Sequence, residues 1–144
     1  MTRSKTVATW LALIGGSLGL HRFYLHGTRD VWGWLISVPS LLGAYGVYRM
    51  RELGQDDVLA WVLIPLLGFA LAASMLTAVI YGLRSDEEWN LQFSPSAASA
   101  SGWLAIVGVA FALLIGTGVL MATIAFSAQR YFEYQAQTVA RTPG

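Results

Sequence analysis

The two longest apolar runs of this chain contain no ionisable side chain. They span Val58–Leu83 and Gly102–Ala128, and neither holds an Asp, Glu, Lys, Arg or His. A helix needs about 20 mainly apolar residues to cross a bilayer, and in lipid a helix satisfies its own backbone hydrogen bonds. Both runs therefore predict membrane-crossing helices that are long enough to cross with some tilt.

Two shorter uncharged runs, Val7–Leu20 and Val31–Tyr48, precede them. The first is short for a full crossing, and it reaches a plausible length only if Phe23, Tyr24 and Leu25 also lie in the bilayer or its interface. Charged residues make up 12% of the chain, against about 25% in soluble domains. We therefore expect an all-α integral membrane protein with four transmembrane helices in a small bundle, the first two forming a short helical hairpin.

The polar segments between these runs predict how the chain is organised. They indicate a helical hairpin over residues 1–50, a polar loop over 51–57, a second pair of transmembrane helices over 58–128 with a polar loop at 84–101, and an interfacial helix extension and flexible tail over 129–144. Asp30, Asp56 or Asp57, and Ser101 are expected to cap the helices that follow them. The acidic stretch Asp86–Glu88 is interpreted as a solvated loop face, with docking of a basic partner as the alternative.

Four crossings would place both termini and the middle loop on one side of the membrane. That side holds six of the nine basic residues, and the other side holds Arg22, Arg29 and Arg84. Because cytoplasmic loops carry an excess of Lys and Arg, both termini are predicted to be cytoplasmic, in a bacterial-type inner membrane. The alternative of a cleaved signal peptide lacks a visible small-residue cleavage site.

Small residues recur at helical spacing in the first run. Such a face lets another helix approach closely, and it serves either association between copies or packing inside one bundle. We favour internal packing and keep association open. The residues concerned are Ala8, Ala12, Gly15, Gly16 and Gly19.

Neither metal binding nor catalysis is indicated by the sequence. His21 and His26, with Asp30 nearby, fall short of the converging and supported ligands of a metal site, and the chain has no cysteine. No nucleophile elbow, zinc-helix motif or phosphate loop is present, so we expect no cofactor. The runs lack the ionisable residues that coupled transporters place in their spans, although a pore built from several copies stays open.

The sequence H-R-F-Y-L at His21–Leu25 follows a glycine-rich apolar run, and Lys5 precedes that run. In this pattern, residues 5–50 resemble the two-transmembrane ("TM-two") domain family. The resemblance implies a membrane helical hairpin and no established enzyme activity. Two departures are His26, which stands before Gly27 where the family usually has glycine at once, and the basic Arg49 and Arg51, where members often carry an acid.

These observations predict a non-enzymatic multi-pass membrane protein that associates with itself or with other membrane proteins. The candidate lipid- or partner-binding turn consists of His21, Arg22, Phe23, Tyr24 and His26, because Arg and aromatic side chains suit the headgroup region. The net charge of +1 gives no reason to expect a nucleic-acid partner. The alternatives are a small oligomeric pore or transporter subunit, and a lipid-modifying enzyme that uses His21 or His26 as a base.

Overall fold

The computed structural model describes residues 3–95 and 100–141, and every regular element in these ranges is helical, which confirms the predicted all-α class. A 3₁₀ turn, Gly16–Leu18, joins the first two of the α-helices. In chain order these are α1 (Lys5–Gly15), α2 (Leu20–His26), α3 (Val31–Leu53), α4 (Val58–Leu83), α5 (Asp86–Phe93) and α6 (Trp103–Arg141).

Two of the described helices, α4 and α6, are long and apolar enough to cross a membrane. They correspond to the two longest runs of the sequence. The prediction of four crossings is not confirmed, because the first predicted span does not form a single helix. Its backbone bends in the middle of the run, between Gly15 and Gly19.

The bend is a consequence of glycine geometry. Gly19 has φ +73°, in the left-handed region that side-chain-bearing residues rarely adopt. A Cβ at this position would also collide with the backbone carbonyl of Gly33 in α3. The first predicted span, extended to Leu25, is therefore two helices at an angle: α1 ends at Gly15, and α2 begins at Leu20 and turns back alongside α1.

The hairpin of α1 and α2 returns to the end of the bundle at which it began. The backbone N–H of Ser4 donates to the hydroxyl of Tyr24 over 3.1 Å, and Leu25 packs in one buried cluster with Ala8. At the tip of the hairpin, Gly16 lies against Ser74, well inside α4. The hairpin thus penetrates only part of the length of α4.

Helix α3 packs on α4 through a face of small residues. A Cβ on Gly43 would lie only 2.5 Å from the backbone nitrogen of Leu67, and one on Gly46 would lie 2.6 Å from Cβ of Leu63. In lipid, association of helices depends on such close backbone approach, since burial from water does not drive it. The buried residues of α3 are accordingly only glycine and serine: Gly33, Ser37, Ser40, Gly43 and Gly46.

Helix α4 is the centre of the bundle, with α3 and α6 both packed along it. Helix α1 lies between α4 and α6, where Thr9 is close to both Gly82 and Gly108. We call the end that holds the α1 N-terminus and α5 the hairpin end. The opposite end, where Arg49 meets Asp57, is the distal end.

This arrangement removes the basis for placing both termini on one side. The described N-terminal residues lie at the hairpin end, whereas α6 begins at that end and finishes at the distal end. Of the basic residues, five lie at the hairpin end and four at the distal end, so they show almost no bias. The first set is Arg3, Lys5, Arg22, Arg29 and Arg84, and the second is Arg49, Arg51, Arg130 and Arg141.

The predicted caps and loops are partly corrected. Asp30 caps α3 by accepting from the N–H of Trp32 over 3.2 Å. Asp57 stands at the start of α4 but accepts from Arg49, and Ser101 donates to Asp86 rather than capping α6. Helix α3 continues through part of the predicted loop 51–57, and α6 continues to Arg141, so the described part of the predicted tail is helical. Residues 96–99 of the predicted loop and 142–144 of the tail lie outside the described residues.

The α3–α4 contact predicts changes in stability of opposite sign for two Gly→Ala substitutions. Ala exceeds Gly in helix propensity by about 1 kcal/mol, so Gly118→Ala, which meets no atom within 4 Å, should be neutral or slightly stabilising. Gly43→Ala should instead destabilise by about 1–3 kcal/mol through overpacking against the Leu67 backbone. Thermal unfolding of both variants in detergent measures the difference. Equal midpoints would contradict the close approach of the two helices.

Candidate functional site

The H-R-F-Y-L motif lies in a helix rather than in the predicted turn. Helix α2 begins after the left-handed Gly19 and ends at Gly27, whose φ is +87°. The turn itself comprises residues 27–30. The reason is local: both flanking glycines adopt positive φ and stop the helix, and the motif between them forms its own backbone hydrogen bonds.

Arg22 stabilises this turn through an ion pair within the chain. Its Nε donates to the Asp30 carboxylate over 2.7 Å, with the arginine side chain 28% exposed. The same carboxylate caps α3, and the hydrogen bond from Arg22 lowers the pKa of the Asp30 carboxyl. Arg22 therefore joins α2 to the start of α3, and its binding of a lipid phosphate stays a prediction.

The two aromatic residues of the motif also make contacts within the chain. The Phe23 ring lies beside Gly33, with its centroid 5.2 Å from the nearer ring of Trp34. The Tyr24 hydroxyl accepts from the backbone of Ser4. Phe23 thus holds α2 to α3, while Tyr24 holds it to α1.

The structure separates the two histidines. His21 is buried at 4% exposure, with its ring 5.8 Å from that of Tyr81, whereas His26 is exposed and lies edge-on to Phe93 at 6.3 Å. Within residues 3–95 and 100–141, no group of three or more His, Cys, Asp or Glu side chains could hold a metal ion. Of the five candidate turn residues, His21 is thus the one that is buried.

The small residues proposed for helix packing all lie inside the bundle. Ala8 and Ala12 are fully buried, and Gly15, Gly16 and Gly19 are buried as well. They lie against other parts of the same chain, including Leu20, Ser74 and Gly33. This face is consequently not available to a second copy.

A polar cluster that the sequence interpretation missed closes the hairpin end. The Lys5 ammonium lies 2.6 Å from the Asp86 carboxylate and donates to the Arg84 carbonyl over 2.8 Å. Asp86 also accepts from the backbone of Ser101 over 3.0 Å. We call Lys5, Asp86 and Ser101 the clamp; it binds the N-terminus of α1 to the segment that follows α4.

Helix α5 places a buried aromatic side chain beside the clamp. Trp89 is 1% exposed, and its indole N–H donates to the Arg3 carbonyl over 2.7 Å. A capping signal was present in the sequence, because Ser85 stands three residues before Glu88. The Ser85 hydroxyl indeed accepts from the N–H of Glu88. The acidic stretch is thus the first turn of a docked helix rather than a loop. Glu87 and Glu88 are exposed, as the interpretation as a solvated face predicts, whereas Asp86 pairs with Lys5.

The clamp is expected to open in acid. The hydrogen bond from Lys5, together with those from Ser101, lowers the pKa of the Asp86 carboxyl from 3.8 to about 2. A lowered carboxyl pKa contributes stability that is fully present above its ordinary value and is lost as pH falls through the folded value. Hydrogen exchange of the α5 amides, corrected for intrinsic rates, should therefore accelerate between about pH 4 and pH 2.

The variant Asp86→Asn should show this acceleration already at neutral pH. Loss of the carboxylate leaves the buried Lys5 ammonium without its ionic partner, at a cost of about 1–3 kcal/mol for local opening. Glu87→Gln removes the same charge from an exposed neighbour and is the matched control. Wild-type protection in Asp86→Asn would contradict a stabilising role of the clamp.

Comparison with known proteins bears on the N-terminal third alone. No curated protein matches the chain, and no solved structure does. The family model described as the TM2 domain matches residues 1–48. The resemblance that the H-R-F-Y-L motif indicates is therefore confirmed for this segment, which is similar to the TM2 domain over α1, α2 and most of α3.

Proposed function

We propose that this chain is a non-enzymatic, multi-pass protein of the bacterial inner membrane that assembles with a second copy of itself through α6. The similarity to the TM2 domain and the two long apolar helices give a membrane protein. The association is inferred from the outer face of α6, because the small-residue face of α1 is already occupied within the chain.

The observation that carries the proposal is an exposed seam on α6. Apolar or small residues recur every seven positions along the helix, with further exposed apolar residues between them, as in helices that pair by knobs-into-holes packing. Every member of the seam is exposed. They are Phe111, Leu114, Gly118, Met121, Ala125, Ala128, Phe132 and Val139.

The seam continues beyond the part of α6 that α4 covers. Tyr134 lies alongside Val58, the first residue of α4, so the last turns of α6 extend past their neighbour. At 1.5 Å per residue, its 39 residues span about 58 Å, against about 30 Å for the hydrocarbon core of a bilayer. The distal part of the seam therefore extends out of the hydrocarbon core.

Beyond that core, lipid tails no longer cover the seam. Phe132 and Val139 are 65% and 75% exposed, and apolar side chains in water favour burial against a partner. A second α6 offers the same seam, so a twofold-symmetric pair covers both copies at once. For this reason we propose a second copy, rather than an unrelated membrane protein, as the partner of the seam. The experiments below distinguish the two.

The alternatives receive less support from the geometry. A pore formed by several copies needs polar groups along the shared surface, and the α6 seam is apolar over most of its length. A lipid-modifying enzyme needs a base within reach of its substrate. His21 is buried, so only His26, which is exposed beside the Phe93 ring, could serve as that base. The hairpin motif, whose Arg22 and Tyr24 contact the same chain, is proposed to support the bundle.

The absence of cysteine gives a direct test. We expect Val139→Cys, on the seam, to form a disulfide-linked dimer under mild oxidation in liposomes. Gln137→Cys, exposed on the opposite side of the same helix, should cross-link several-fold less. Equal cross-linking of the two variants would overturn pairing through the seam.

A charge on the seam should weaken the pair. Phe132→Glu removes an apolar contact and brings two like charges together, so the dissociation constant, measured by fluorescence energy transfer at increasing lipid dilution, should rise at least about tenfold, or about 1.4 kcal/mol. Gln137→Glu adds the same charge off the seam and should leave it unchanged. A purified chain that stays monomeric at every dilution would indicate an unrelated partner and overturn the proposal.

A further inference from the structure

A recess of about 180 Å³ lies between the tip of the hairpin and helices α3 and α4. Its polar lining comes from His21, Ser74 and Thr77, and the rest of its wall is glycine, proline and aliphatic side chains. It lies apart from both the clamp and the α6 seam, and neither uses these groups.

One nitrogen of His21 is buried here without a partner. Nδ1 has no hydrogen bond within the described residues, although the side chain is almost fully buried. An unpaired polar atom in such a place is unfavourable, because it has lost its hydrogen bonds to water. Buried polar groups in proteins are therefore usually satisfied, and bound water is a common partner.

Gly16 lies between this nitrogen and Ser74 at the wall of the recess. A Cβ on Gly16 would lie 3.4 Å from His21 Nδ1 and 3.4 Å from Ser74 Oγ, but only 2.7 Å from Ser74 Cβ, so that point is not itself free space. His21 and Ser74 both line the recess next to it. A small molecule in the recess therefore lies beside both polar side chains.

The polar atoms of the recess are mainly acceptors. The Ser74 hydroxyl already donates to the Leu71 carbonyl over 2.8 Å, and the Thr77 hydroxyl donates to the Ala73 carbonyl over 2.9 Å. Each hydroxyl therefore has only lone pairs left to offer. Pro39, also in the lining, has no backbone N–H to contribute.

The surrounding charge disfavours a cation. Arg22 and His26 are the charged or titratable groups that act most strongly on His21 besides burial, and no carboxylate lines the recess. An ammonium or metal ion would find no carboxylate in the recess, because Asp30, which pairs with Arg22, is not part of its lining. An uncharged donor meets the free acceptors without that penalty.

From these contacts we propose that the recess is a binding site for small uncharged hydrogen-bond donors, with water as the resident molecule. A cavity needs about 10–15 Å³ to hold one water, so this recess accommodates several waters or one molecule of a few non-hydrogen atoms. The ligand donates to His21 Nδ1 and to the hydroxyl oxygens of Ser74 and Thr77. His21 then carries its own proton on Nε2.

Solid-state NMR of the full chain in liposomes, with ¹⁵N-labelled histidine, tests the site. Magnetisation transferred from water protons should reach the His21 imidazole nitrogens as well as those of exposed His26, which His26→Asn assigns. In the double variant Ser74→Ala with Thr77→Val, transfer to His21 should fall at least threefold, because two acceptors are lost with little change in volume. Transfer to exposed His26 should stay as in the wild type, and an unchanged thermal unfolding midpoint shows that the variant is folded.

The matched control is Thr117→Val with Ser127→Ala, which removes two hydroxyls from α6 away from the recess, and it should leave the His21 signal unchanged. Methanol, added as a probe, distinguishes the sources of the donor: a saturable shift of Nδ1 indicates a site open to small solutes, and no shift indicates water alone. Transfer to His21 from lipid methylene protons with none from water would show that an acyl chain fills the recess, and would overturn the proposal.

Discussion

The left-handed backbone of Gly19 determines the course of the first third of the chain. Because a helix cannot continue through that conformation, the apolar run that enters the bundle at Lys5 reverses within a few residues. The carbonyl of Gly33 lies where a side chain at position 19 would be. This one residue therefore determines how deeply the hairpin enters the bundle and where α3 packs against it. The tip of the hairpin and its recess depend on this bend.

Small residues organise the remaining contacts. In lipid, close contact between backbones replaces the burial of large side chains as the source of helix association. The inner face of α3 carries only glycine and serine, and Ser37 and Ser40 donate to the carbonyls of Leu18 and Ser17 at the hairpin tip. Large apolar residues such as Trp34 and Leu41 point outward instead. Helix α3 is in this sense the reverse of a helix in a water-soluble protein, with its large residues outside and its smallest residues inside.

Much of this architecture could be predicted from the sequence. The uncharged runs Val58–Leu83 and Gly102–Ala128 indicated α4 and most of α6, because length and hydropathy alone decide them. The H-R-F-Y-L motif was enough to indicate that the first segment is similar to the TM2 domain. Asp30 was correctly expected to cap α3, since its position before an apolar run is a local signal.

What escaped prediction depends on contacts between distant residues. A hydropathy profile shows a run such as Val7–Leu20 as continuous, and it does not show that the backbone reverses direction at a glycine. The ion pair of Lys5 with Asp86 joins two polar segments far apart in the chain, and nothing local in either specifies the other. His21 and His26 look alike in sequence, but the fold buries one beside a recess and exposes the other.

The clamp has a consequence for how the chain is made. The Arg84 carbonyl that accepts from Lys5 lies 79 residues after it, and ribosomes add about 5–20 residues per second. Arg84 is therefore synthesised about 4–16 seconds after Lys5. Until then, the ammonium of Lys5 has no carboxylate of α5 to pair with, and α1 lacks the surfaces of α4 and α6 between which it finally lies. The hairpin thus reaches its final position only after these later helices have been made.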